Sequence, residues 1–235
     1  MTWLRGALWA IVNRVPSGIR DRIFDRRAAF NRRAAATGWS IGERSAAEHY
    51  WDQYRSESKI ELAEFISERF TQDRLEVFEF GCHCGNVLRL LKETLKSDIV
   101  FTGIDPNAAN LDFARRKFDP TRQVFKFLLG DETDLVRVNQ GHTYDLFIVS
   151  SVFYSMSPRG VRSVLANACN CSRNLVIADD MSSLDRRSTT FDQCFRHPYR
   201  RLLKEAGLDI IAQRTFSHPK TAYTGVLLAV PKGPA

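Results

Sequence analysis

Glu79, Gly81, Gly85 and Asp105 have the types and spacing of a ligand-binding turn. Residues 77–87 read Val-Phe-Glu-Phe-Gly-Cys-His-Cys-Gly-Asn-Val. An apolar run ends in a carboxylate, two glycines bracket a tight loop, and a helical pattern begins at Asn86. Glycine lacks the Cβ that would keep a ligand away from the main chain. The helix start adds free N–H groups beside it. About twenty residues beyond the first glycine, a second apolar run closes on Asp105-Pro106, the spacing of an acid that grips ribose hydroxyls.

A dinucleotide site needs G-x-G-x-x-G, whose middle glycine lets the backbone reach a pyrophosphate. Here Cys82, His83 and Cys84 fill the space between Gly81 and Gly85, so the loop suits a nucleoside ligand without one. S-adenosylmethionine has adenine, ribose and a charged amino-acid tail and fits that description. At this point Val77–Asn86 resembles the first motif of class I S-adenosylmethionine-dependent methyltransferases, and Gly103–Pro106 the second. Leu-Leu-Gly130-Asp131-Glu132 resembles the third motif, and Tyr144-Asp-Leu-Phe-Ile-Val-Ser150-Ser151 the fourth. The resemblance covers roughly residues 46–230.

The resemblance implies roles. Asp105 accepts both ribose hydroxyls, as a carboxylate can, with Pro106 following it. Asp131 accepts from the adenine amino group, assisted by the Glu132 backbone. Glu79 holds the ammonium end, Gly81, Cys82 and Gly85 form the wall of the tail, and Ser150 ends the strand at the transfer site. Tyr50–Arg55 resembles an aromatic segment that closes over the cofactor, with core packing as the alternative. Methyl transfer relies on aligning the acceptor and excluding water, because the cofactor carries the activated group. An oxygen acceptor of high pKa also needs a base; His197, Asp179 and Asp180 are the candidates. Phe153 and Tyr154 are read as an aromatic wall, and Arg186 and Arg187 as anion contacts or a solvated loop.

No metal is expected. Cys82 and Cys84 lie at the opposite edge of the sheet from Cys169 and Cys171, so one tetrahedral zinc site cannot join them. Asp179-Asp180 resembles the magnesium pair of catechol-type methyltransferases, but Ser150-Ser151 stands where those enzymes supply another acid. His142 precedes its strand and reads as structural.

These residues require a scaffold. Strands are predicted near 75–80, 98–104, 124–129, 144–150 and 174–178, helices near 86–96, 108–118, 158–168 and 198–206, and a closing strand pair over 209–216 and 223–230. Ser58 and Glu61 suggest a capping box for a helix before the first strand. The alternation predicts an α/β Rossmann-like doubly wound sheet. The resemblance makes it seven-stranded and mostly parallel with an antiparallel last strand.

The chain has 235 residues, 44% of them hydrophobic, enough for one domain and an attached segment. The expected division is a basic N-terminal arm, 1–43, and a methyltransferase domain, 44–235. No apolar run reaches the ~18–20 residues of a membrane span, and no cleavage site follows the first apolar stretch. Five cysteines, an odd count, suit a reducing cytoplasm. Eight arginines against Asp21 and Asp25 place +6 of the net +7 in residues 1–40. Nucleic acid is disfavoured as an acceptor, because its enzymes carry positive charge around the active-site mouth.

The arm is read as a helix packed on the domain, as a homodimer contact, or as an amphipathic helix on the inner membrane face. The expected activity is methyl transfer to a small-molecule or glycan acceptor at oxygen. The alternatives are an RNA or protein methyltransferase docking through the arm, a non-catalytic cofactor-binding module and, weakest, a hydride-transferring enzyme.

Overall fold

The computed structural model describes residues 17–37, 40–41, 44–118, 124–139, 141–180, 189–191, 194–218 and 221–233. The first sixteen residues of the expected arm and the loop bearing Arg186 and Arg187 lie outside them. Seven strands form the central sheet: β1 Arg74–Phe80, β2 Asp98–Asp105, β3 Phe125–Leu129, β4 Leu146–Ser150, β5 Leu175–Asp180, β6 Leu208–His218 and β7 Thr221–Pro231. Their order is β6-β7-β5-β4-β1-β2-β3. β1 to β5 are parallel, and β7 runs antiparallel to both of its neighbours. The expected sheet is therefore present.

The chain winds outward from β1 through β2 to β3, then returns to β4 on the other side. The crevice beyond β1 and β4 is the point where winding reverses, the usual ligand position in open α/β sheets.

Side chains alternate across the sheet. Val77, Leu146, Ile148 and Val176 face one core layer; Phe78, Phe147, Val149 and Ile177 face the other. Helices α3 Glu57–Ser67, α4 Asn86–Thr94 and α5 Ala108–Lys117 cover the first layer, and the short α6 Leu135–Val138, α7 Pro158–Cys171 and α8 Tyr199–Glu205 the second. Full burial of a Phe, Leu or Ile contributes roughly 1.5–3 kcal/mol, so both faces are strongly held. α5 and α7 start on Asn107 and Ser157, whose side chains accept from the Asn110 and Gly160 N–H groups. α3 corrects one expectation. It starts after Ser56, two residues early, without a side-chain cap. Glu61 faces Arg214 of β6 instead.

Two elements sit above the sheet. α1, Ser17–Thr37, docks Phe24 and Ala28 on Phe195 of a short strand, Cys194–Arg196. The Phe24 and Phe195 rings meet edge-on at 5.2 Å. Arg22, Arg26 and Arg33 are exposed, and a 3.6-residue period puts them opposite that docking face. α2, Ala46–Asp52, lies over α4. There the Asn86 amide donates to the Tyr50 carbonyl at 3.1 Å, and Arg89 covers the Tyr54 ring at 3.6 Å.

Candidate functional site

A cavity of about 580 Å³ opens at the C-terminal ends of β1, β2 and β4. The loop after β1 shapes its floor. Gly81, His83 and Gly85 all take positive φ, at 78°, 49° and 80°. A left-handed non-glycine residue costs roughly 1–2 kcal/mol, and the His83 N–H offsets this by donating to Asp105 Oδ2 at 2.9 Å. The Asn107 N–H donates to Asp105 Oδ1, also at 2.9 Å. Both carboxylate oxygens are thereby aimed, with lone pairs left for further donors.

Packing gives both glycines a reason of its own, beside the expected ligand approach. A Cβ on Gly81 would fall on the Val152 side chain, and one on Gly85 would lie 2.5 Å from the Phe118 ring. Protein packing and backbone handedness demand glycine at both. Gly85 does not line the cavity; Glu79, Gly81, Cys82, Asp105, Pro106, Asp131, Glu132 and Ser150 do.

Burial dominates the electrostatics. Glu79 is 2% exposed, and desolvation pushes its carboxyl up to about 8 against the pull of Lys59. Its Oε2 is buried without a hydrogen-bond partner. Desolvation likewise raises Asp105 to about 6, although the Asn107 and His83 N–H groups pull it back. Burial, then the charge of Lys59, takes His83 down to about 4, so its ring is neutral at pH 7. Cys84 is pushed up to about 12 by burial and stays a thiol, donating to Asn86 Oδ1 at 2.6 Å. Asp131 is held by the Thr133 N–H and hydroxyl at 2.8 and 2.7 Å, both on Oδ1.

His197 and Asp179, two of the three base candidates, do not line this cavity. His197 is fully buried, its Nε2 lies 2.8 Å from the Phe153 carbonyl, and its ring stacks on Phe195. Burial lowers it to about 4. Asp179 is 4% exposed; its Oδ2 accepts from the Tyr154 N–H at 3.1 Å and the Tyr199 hydroxyl at 2.9 Å. Both residues brace the turn after β4, and neither lines the cavity. The Asp180 side chain lies outside the described residues. Of the expected aromatic wall, Tyr154 lines the cavity while Phe153 is buried in the core. Tyr50 also lines it, whereas Trp51 packs on Phe113 and Phe118. His142 pairs with Glu76 at 3.0 Å.

Several lining residues escaped the sequence reading. Ala28 and Asn31 come from α1, and Asn31 Nδ2 donates to the Ser155 carbonyl at 3.0 Å. Lys59 of α3 lines the cavity too. It lies on the buried stripe of its helix, three, four and seven residues before Leu62, Ala63 and Ile66; a lone cation on an apolar stripe was the available signal. Among the described residues, no helix is long and apolar enough to cross a membrane.

Residues 78–174 match the family model described as a methyltransferase domain. No curated protein matches the chain in sequence. Among solved structures, magnesium protoporphyrin IX methyltransferase from Synechocystis PCC 6803, with S-adenosylmethionine bound, is 15% identical; the match covers 90% of this chain and 97% of that one, with a TM-score of 0.59. A Leishmania major S-adenosylmethionine-dependent methyltransferase is 13% identical over 88% of this chain and 82% of its own, with a TM-score of 0.62. A glycopeptide N-methyltransferase complexed with S-adenosylmethionine is 12% identical over 76% and 96%, with a TM-score of 0.58. At such identities the likeness is one of fold.

Proposed function

We propose that the chain is a class I S-adenosylmethionine-dependent methyltransferase that transfers a methyl group from S-adenosylmethionine to a small-molecule or glycan acceptor, a reading supported by the methyltransferase-domain match over residues 78–174 and by the strand order of the sheet. The observation that carries this reading is the buried Glu79 Oε2 without a partner, beside the doubly aimed Asp105 carboxylate at the β1–β4 crevice. An orphaned buried acceptor costs about 1–3 kcal/mol, and the ammonium of an amino-acid tail would satisfy it. The cavity volume falls in the range that encloses one such ligand.

Asp105 would hold the ribose, Asp131 the adenine amino group and Glu79 the ammonium. Bound there, the cofactor would supply a methyl group activated on sulfur. The chain's own residues orient the partners and exclude water. Ala28 and Asn31 of α1, with Tyr154, Ser155 and Met156, form the remaining wall. We assign this wall to the acceptor. These five residues carry no charged side chain, so the reacting part of the acceptor should be uncharged. Transfer to oxygen remains part of the reading, with the proton leaving through a group other than His197 or Asp179.

The exposed arginines of α1 favour a second reading, docking of an RNA acceptor through that helix. Both are tested by incubating the purified chain with methyl-labelled S-adenosylmethionine and fractionated cell extract. Label in the low-molecular-mass or glycan fraction supports the main reading. Label in RNA moves the assignment to the second, and no uptake of cofactor refutes both.

A further inference from the structure

We infer that Lys59 is the specificity-determining cation of the cofactor site: it takes the carboxylate of the amino-acid tail and, with Glu79, makes the cavity selective for an intact zwitterion. This rests on the methyltransferase reading above.

S-adenosylmethionine presents four polar features: an adenine amino group, a ribose diol, an ammonium and a carboxylate. Asp131, Asp105 and Glu79 are assigned to the first three, and all three are acceptors. The carboxylate needs a donor. Lys59 is the one lysine or arginine among the described residues lining the cavity. It stands in the first turn of α3, with its ammonium 5.9 Å from the centre of the Tyr50 ring. No hydrogen bond or ion pair to the Lys59 ammonium forms among the described residues, Glu79 included, although Lys59 and Glu79 each bear on the charge of the other.

Burial holds Lys59 below the ordinary lysine range and Glu79 above the ordinary carboxylate range. Each charge is thus costly while the cavity lacks a counter-charge. One zwitterion would compensate both at once. His83, neutral and with Nδ1 buried without a partner, stands in the same wall and adds polarity without competing charge. A tail lacking its carboxylate would leave Lys59 buried and uncompensated, so the site should reject it.

The test uses the full chain and calorimetric binding of three nucleosides. S-adenosylhomocysteine carries both tail charges, its decarboxylated analogue keeps only the ammonium, and 5′-methylthioadenosine has no tail. Wild type should prefer S-adenosylhomocysteine over the decarboxylated analogue by roughly 10- to 100-fold, the range of one charge-assisted hydrogen bond. Lys59→Met should weaken S-adenosylhomocysteine by a similar factor and change the other two less than about 3-fold. Lys59→Arg should restore most of the loss.

Equal weakening of all three nucleosides by Lys59→Met would mark a structural role and overturn the assignment. So would unchanged S-adenosylhomocysteine affinity. If 5′-methylthioadenosine binds but wild type does not distinguish the two tailed ligands, the clamp fails while the nucleoside site stands. If none of the three binds wild type, the methyltransferase reading fails and takes the clamp with it.

Discussion

If Glu79 holds the ammonium as proposed, cofactor binding should be tied to proton release. The Glu79 carboxyl is pushed up to about 8 by burial, so at pH 7 only about one molecule in ten carries the charge. An ammonium beside it requires the carboxylate. Binding of S-adenosylhomocysteine at pH 7 should therefore release about 0.9 proton, at a cost to affinity of about 1.4 kcal/mol or tenfold in Kd. Affinity should rise about tenfold per pH unit from 6 to 8. Above pH 8 it should level off, because Glu79 is then ionised in the ligand-free chain as well. Below pH 6, Asp105 adds a second proton and steepens the slope.

The stability of the ligand-free chain runs the other way. The folded value lies above the unfolded one, so the folded state holds the extra proton between about 4.5 and 8 and loses stability as pH rises through that window, by about 5 kcal/mol at most. Glu79→Gln should raise the ligand-free Tm at pH 8 and abolish proton release. The assay is calorimetry in buffers of different ionisation enthalpy. A binding heat independent of buffer at pH 7, with a flat pH profile, would refute the reasoning.

Asp105→Asn should lower S-adenosylhomocysteine affinity by at least about 100-fold, measured calorimetrically. It should also lower Tm by several degrees, because a side chain with one acceptor oxygen cannot serve both the His83 and Asn107 N–H groups. Gly81→Ala should destabilise by roughly 1–3 kcal/mol in urea melts, and Val152→Ala should recover only the part due to the clash, since the positive φ remains. Asp179→Asn should lower Tm but leave the pH dependence of turnover in place; a lost acidic limb would restore Asp179 as a base. These three readouts are independent of the Lys59 nucleoside series.

The strand ends were legible because burial forces alternation and continuous apolar runs on a covered parallel sheet; β2, β4 and β5 stop at an acid or a serine, and β1 one residue past Glu79. Glu79, Asp105 and Asp131 line the cavity on that logic. What failed were contacts between elements distant in sequence. Gly85 owes its identity to Phe118, and Gly81 to Val152, which no local pattern displays. His197 and Asp179 carry chemically suitable groups, but Phe153, Tyr154 and Tyr199 occupy them. Ser58-x-x-Glu61 matched a cap pattern, yet the helix starts after Ser56 and Glu61 pairs with Arg214 of β6. The wall from α1 was unreadable because Ala28 and Asn31 acquire meaning only through Phe195 and Ser155.

A crystal structure of the chain with S-adenosylhomocysteine is the most direct measurement. It should show the nucleoside across the ends of β1 and β2, its ribose hydroxyls on Asp105 and its sulfur facing the wall from α1 and Tyr154. A nucleoside seated elsewhere, or a crevice left empty at saturating ligand, would contradict the account.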